Sequence, residues 1–127
     1  MHYYIAKTIE AVFDDAIARV KTALKEEGFG VLTEIDVAAT FKEKLGVDYR
    51  PYRILGACNP KLALGALEIE DKIGVMLPCN VVVHRVPEGV EIAAIDPVAS
   101  MGGIGAPGLR EKAEEVRNRL TRVIEAV

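Results

Sequence analysis

The chain has 127 residues, half of them hydrophobic and 28% charged, with a formal net charge of −3. That is the length of one domain, residues 1–127, with enough apolar content for a core and no basic field to hold nucleic acid by counterion release. There is no run of about 18 apolar residues to cross a bilayer, no charged-then-apolar leader in M-H-Y-Y-I-A-K, and too few cysteines for a disulfide scaffold; a cytoplasmic domain with no nucleic-acid or membrane partner is expected.

Aromatics are 6% and tryptophan is absent, so the core must be aliphatic. Glutamine is missing while Glu, Lys and Arg are frequent, a balance that leans toward a thermophilic source. Residues 2–7 alternate as a short strand, with Tyr3 and Ile5 on one face. Thr8 suits the cap of the next segment, where Phe13, Ile17, Val20 and Leu24 recur at helical spacing until Gly28 stops the helix. Residues 30–35 form a second strand. Asp36 caps a short helix marked by Val37, Phe41 and Leu45, which ends at Gly46. Residues 51–58 form a third strand, with Pro51 at its start, where a missing donor costs little.

Asn59-Pro60 is a helix start: Asn caps, and Pro takes the first helical position with its φ already set. Leu62, Ala63, Leu64, Ala66 and Leu67 then make a short helix. Residues 73–86 read as extended, and the β-branched run Val81-Val82-Val83 suggests a strand covered on both faces or nearly so. Residues 87–89 form a turn, and 90–95 pair back as a hairpin that Asp96-Pro97 ends. After a glycine-rich stretch, Pro107 opens the last helix, with Leu109, Ala113, Val116, Leu120, Val123 and Val127 as its buried stripe. The expected fold is a two-layer α+β domain in the order β-α-β-α-β-α-β-β-α, its helices on one face of a mixed sheet. Leu55, Val81, Val83 and Ile92 are expected in its core.

Two geometric arguments bring distant residues together. A three-residue turn would set His84 against Ile92, Val82 against Ala94 and Asn80 against Asp96. A helix of about nine residues after Cys58 descends roughly 14 Å, and a chain extending from Gly74 to Cys79 climbs about 17 Å, so Cys79 returns to the level of Cys58. Together these place Cys58, Asn59, Cys79, Asn80, Asp96 and Met101 at one end of the sheet, with the two cysteine Cα atoms closer than about 12 Å, the outer reach of a bridge or shared ion.

The cysteines are the only reactive residue type repeated in similar settings, Cys58-Asn59 and Cys79-Asn80. A free cysteine is most often a small buried hydrophobe. Paired, the two thiols could form a disulfide or hold a soft metal together with Met101. Cys58 also precedes a helix start, which favours a thiolate modestly. Gly103-Ile104-Gly105-Ala106-Pro107-Gly108 matches G-x-G-x-x-G, but no strand follows its helix and the dinucleotide reading fails; a flexible connection is the simpler reading. His2 is expected in solvent and His84 as a structural or surface-facing residue. Arg50 and Arg53 flank the third strand, where they could meet an anion.

G-A-C-N-P at 56–60, L-P-C-N-V at 77–81, D-P-V-A at 96–99 and G-F-G at 28–30, with the final amphipathic helix, resemble the domain of unknown function 302 family across essentially the whole chain. The resemblance implies a compact two-layer α+β domain, often a homodimer, from bacteria and archaea, with no established activity. Cys58, Asn59, Pro60, Pro78, Cys79, Asn80, Asp96 and Pro97 stand at the family's recurrent positions. The expectation is therefore a non-catalytic binding or sensing domain. Its ligand would sit at Cys58, Asn59, Cys79, Asn80 and Asp96, or a soft metal ion would sit at Cys58, Cys79 and Met101. No catalytic residue or cofactor is assigned. A thiol-dependent redox enzyme and a structural oligomer without a small-molecule site are the alternatives.

Overall fold

A computed structural model describes residues 2–127. Its elements are β1 (Tyr4–Ile9), α1 (Phe13–Glu26), β2 (Gly30–Asp36), α2 (Val37–Leu45), β3 (Tyr52–Cys58), α3 (Pro60–Ile69), a 3-10 helix (Asp71–Met76), β4 (Cys79–Val86), β5 (Gly89–Ile95), α4 (Pro97–Met101) and α5 (Leu109–Ala126). The strands make one sheet in the order β1-β5-β4-β3-β2. The α+β class holds. The sheet, expected to be mixed, is antiparallel at every pairing. The reason lies after Cys58: α3 and the 3-10 helix return the chain to the end of the sheet it left, so β4 runs back along β3.

One face of the sheet carries the main core. Leu55, Val81, Val83 and Ile92 are completely buried there, as expected, against Ile17, Val20 and Leu24 of α1 and Leu120 and Val123 of α5. Lys7 also lies on this side, and its Nζ reaches the carbonyl oxygens of Glu125 and Val127, at 3.1 and 2.7 Å. A cation there satisfies carbonyls that α5 leaves unpaired at its C-terminus. The opposite face holds Tyr52, Ile54, Val82, His84, Ala93 and Ile95. Val82 is half-buried, not covered on both sides. The expectation that all helices share one face fails for α2: Phe41 meets Tyr49, whose ring lies 6.2 Å from that of Tyr52 on this second face.

The helix signals hold where the cap chemistry is local. Asp36 accepts from Ala39 N at 2.9 Å, and Gly46 ends α2 with φ 67°. Elsewhere tertiary pairing overrides the local signal. Thr8 belongs to β1 and pairs with Glu91, so α1 starts later, after Val12, without a side-chain cap. Residues 73–76, expected to extend, belong instead to the 3-10 helix Asp71–Met76, and Asp96 starts the short helix α4, which the glycine-rich stretch had hidden. The β4–β5 turn has two residues, not three. Val86 faces Gly89, His84 faces Glu91, and Val83 faces Ile92.

Gly56 is the tightest point of the sheet. It is buried, and a β-carbon there would collide with Thr33 Oγ1 and lie 2.9 Å from Pro78 Cγ. Forcing an atom into a packed site costs about 1–3 kcal/mol, so Gly56→Ala is expected to lose that much in a urea melt. An unchanged midpoint would show that Pro78 and Thr33 can move apart freely.

Candidate functional site

Cys58 closes β3 and Cys79 opens β4. Ala57 is the cross-strand partner of Cys79. Facing Cα atoms in an antiparallel pair are about 4.5–5.5 Å apart and consecutive ones about 3.8 Å, so the cysteine Cα atoms lie within about 9 Å of one another. Both thiols are free. The juxtaposition expected from the climb argument is present, although its cause is different: the strands are antiparallel, so the end of one is level with the start of the next.

Both cysteines line a cleft with Met101 of α4. Phe29, Ala57, Leu62, Leu77, Leu109 and Ala113 supply much of the rest of the wall. The cleft follows a seam between two apolar clusters. One is the main core, which includes Phe29, Ala57 and Cys79. The other comprises Ala66, Ile73, Met101, Leu109 and Ala113, under α3 and α4. Counted to its open mouth the cleft measures about 470 Å3, but only about 30 Å3 inside it admits a water-sized sphere. By that measure about 10–15 Å3 holds one water, so the inner space suits an ion or a small group.

Asn59 lies at the edge of this cleft and is engaged at both ends of its amide. Its Oδ1 accepts from Leu62 N at 3.3 Å, capping α3, and its Nδ2 donates to Glu27 O at 3.4 Å. Arg119 donates to the same carbonyl at 3.2 Å. Two donors thus pin the Glu27-Gly28 corner against the cleft, and Gly28 takes φ 85°, where a side chain would be strained.

Asn80 is exposed and lies on the other face of the sheet from Cys79, because consecutive strand residues point in opposite directions. It lines an adjoining groove that is larger than the first cleft by both measures, about 610 Å3 to its mouth and about 250 Å3 for a water-sized sphere, and that shares Leu77, Cys79, Pro97 and Met101 with it. Asp96 caps α4, its Oδ1 accepting from Val98 N at 3.0 Å. Continued by two residues, the observed hairpin register sets Asp96 level with Cys79, not Asn80. The six residues therefore share one end of the sheet, and Cys58, Asn59, Cys79 and Met101 share one cleft.

Burial, and secondarily the charge of Cys58, pushes the Cys79 thiol up to about 11. A thiol so placed stays protonated at neutral pH and is a poor nucleophile. Lys112 is the one ionisable lining residue besides the thiols. Sequence reasoning placed Leu109 in the buried stripe of α5 but did not assign Lys112, which stands on the same face as Leu109, Ala113 and Val116. That spacing marked the buried stripe, and a lysine beside it is the signal that was present.

Away from the cleft, His84 Nε2 sits 2.8 Å from Glu91 Oε1, and Arg50 Nε donates to His84 Nδ1 at 3.3 Å. Arg50 can donate only to an unprotonated Nδ1, so the ring proton belongs on Nε2, facing Glu91. The histidine thus joins β4 to β5 and to the Arg50 loop through its two ring nitrogens. Arg53 pairs with Glu34 at 2.6 Å. The glycine-rich stretch ends at Gly108, φ 86°, and leads into α5 as a connection.

Among the described residues no helix is long and apolar enough to cross a membrane, and no group of three His, Cys, Asp or Glu side chains could hold a metal ion. No curated protein matches the chain. A crystal structure described as an uncharacterized conserved protein DUF302 from Bacillus stearothermophilus is similar over 99% of this chain and 98% of that one, at 30% identity and a TM-score of 0.93. The family model described as domain of unknown function DUF302 matches residues 5–127. A family-model match over nearly the whole chain makes this chain a member of the DUF302 family.

Proposed function

We propose that the chain is a non-catalytic binding or sensing domain whose small ligand, organic or a soft metal ion, enters the cleft beside Cys58 and Cys79. The observation that carries this reading is the wall itself: Cys58, Cys79 and Met101 are among the residues that line an otherwise largely apolar space, with Asn59 and Lys112 its polar members. Cys58, Cys79 and Met101 make the direct contacts, Asn59 holds the rim, and Asn80 and Asp96 belong to the adjoining groove and its helix cap. The thiol-enzyme alternative is less well supported, because the buried Cys79 keeps its proton and no imidazole or carboxylate lines the cleft to remove it. Native mass spectrometry of protein purified without chelator tests the reading. The expected result is a mass above the 13.8 kDa chain that denaturation removes and that Ala63→Trp, which fills the mouth, abolishes. A bare chain mass sinks it.

The same reading carries a homodimer. Tyr52, Ile54, Val82, Ala93 and Ile95 leave a partly apolar face uncovered, Ile35 beside them is 48% exposed, and α2 buries no residue of its own. A nine-residue helix gains little stability from its backbone alone, and a second copy across a two-fold axis would cover both α2 and the face. Light scattering at micromolar concentration should give twice 13.8 kDa; the monomer mass refutes the dimer. A cytoplasmic location and a thermophilic source belong to the same reading. The latter rests on the missing glutamine and on a relative from a Bacillus named stearothermophilus.

A further inference from the structure

We propose that the cleft takes a small aliphatic monocarboxylate, its short chain against the apolar wall and its carboxylate on the Lys112 ammonium group. This rests on the reading of the cleft as a binding site and names its ligand class.

The first observation is an unpaired cation. Lys7 and Lys112 alone among the lysines are partly buried. Lys7 Nζ meets two carbonyl oxygens, at 3.1 and 2.7 Å. Lys112 Nζ has no hydrogen bond or ion pair among the described residues, although Lys21 and Lys42 at the surface have found carboxylates. Drawing a charged side chain out of water costs free energy unless it is paired. Asn59, the other polar member of the wall, has both ends of its amide engaged. Besides the thiols, the polar side-chain group left free on the wall is therefore a charged donor, and the partner it lacks is an anionic acceptor.

The second observation is how that cation is held. Lys112 lies against α3: its Cε and Nζ each pass 3.2 Å from where a Gly65 β-carbon would stand. Gly65 sits inside α3, where glycine is a poor helix former, and the passage of Lys112 accounts for it. The lysine is thus lodged between α3 and α5, which wall the cleft through Leu62, Ala63, Leu109 and Ala113. No carboxylate lines that wall. Arg119 follows Lys112 and Val116 on the same stripe of α5 and donates to Glu27 O beside Asn59; its Nε is buried without an acceptor. Glu27, the acid at that corner, is paired with Arg122 at 3.0 Å.

Size narrows the class. The inner space of about 30 Å3 holds two or three groups the size of a water, at about 10–15 Å3 each. That suits a chain of about three carbons and is too little for a nucleotide or flavin ring.

Titrating sodium butanoate, butanamide and butylammonium chloride at matched ionic strength, with amide NMR shifts as the readout, tests the proposal. One butanoate should bind per chain, shifting amides of α3 and α5 around the cleft. It should bind at least about 10-fold more tightly than butanamide, the scale of one charge-assisted hydrogen bond, and butylammonium should not bind. Lys112→Met keeps an apolar stem and removes the charge, so it should weaken butanoate by at least about 10-fold and leave butanamide unchanged. Gly65→Ala, which pushes Lys112 aside, should weaken butanoate without lowering the melting midpoint, since alanine favours the helix. A lysine that merely covers apolar wall with its stem gives the opposite: acid and amide binding equally, or butanoate affinity unchanged in Lys112→Met. Either result overturns the proposal. Equal binding that Ala63→Trp abolishes overturns the anion and leaves the binding cleft standing. Binding of none of the three overturns the proposal, and together with a bare native mass it overturns the binding reading as well.

Discussion

Leu120→Ala should lower the stability of the fold by about 2–5 kcal/mol, the range for deleting a buried leucine whose surroundings relax only in part. Leu120 is completely buried, midway along α5, in the cluster that holds Val20 and Leu24 of α1 and Ile92 of β5. It therefore joins both layers, and its removal leaves a void that neither helix can fill without leaving the sheet. Urea melts at one fixed protein concentration give the measurement, because a dimer's midpoint moves with concentration. The midpoint should fall with an unchanged slope. Leu64→Ala is the internal control: Leu64 is 59% exposed on α3, and surface changes of this kind stay within about 0.5 kcal/mol. If Leu120→Ala costs no more than Leu64→Ala, α5 does not dock as described.

The docking of α5 was legible in the sequence because its stripe repeats over five turns, and periodicity is a local signal that tertiary structure seldom reverses. The Asn59-Pro60 start of α3 and the Asp36 and Gly46 ends of α2 were legible for the same reason, since each depends on one residue's own chemistry. The hairpin was not. Gly89 fits either the third position of a three-residue loop or the first residue of a strand, and it adopts φ 144° in the latter role. The pattern still held the answer. A three-residue turn sets His84 beside Ile92, a polar residue beside an apolar one, whereas the observed register sets Val83 beside Ile92 and gathers the apolar residues on one face. The 3-10 helix escaped because Ile73 and Val75 look like strand residues while their conformation is set by what covers Ile73. At the candidate site, the approach of the two cysteines follows from the antiparallel pairing of β3 and β4, not from the climb of an extended chain, since Asp71–Met76 coil as a 3-10 helix. The separation of Asn80 from Cys79 could have been read from strand alternation alone.

As pH rises from about 9 through about 11 the protein should lose about 2–3 kcal/mol of stability through Cys79 alone, at about 1.36 kcal/mol for each unit of pKa difference. In the fold this thiol is pushed up from 9.0 to about 11, first by burial and then by the charge of Cys58, while in the unfolded chain it ionises near its ordinary value. The sign follows from the proton count. Below about pH 9 both states hold the proton and the contribution is complete. Between the two values the unfolded chain has released it and the folded chain has not, so the unfolded state binds fewer protons and stability falls as pH rises. Alkali acts on the rest of the chain as well, so the quantity to measure is a difference: the loss from pH 8 to pH 11 in the wild type minus the loss in Cys79→Ala, which keeps an apolar group in place of the thiol. The wild type should lose about 2–3 kcal/mol more. Parallel curves would mean that Cys79 ionises in the fold as easily as in water, which requires a wet cleft and removes the apolar wall on which the binding reading stands.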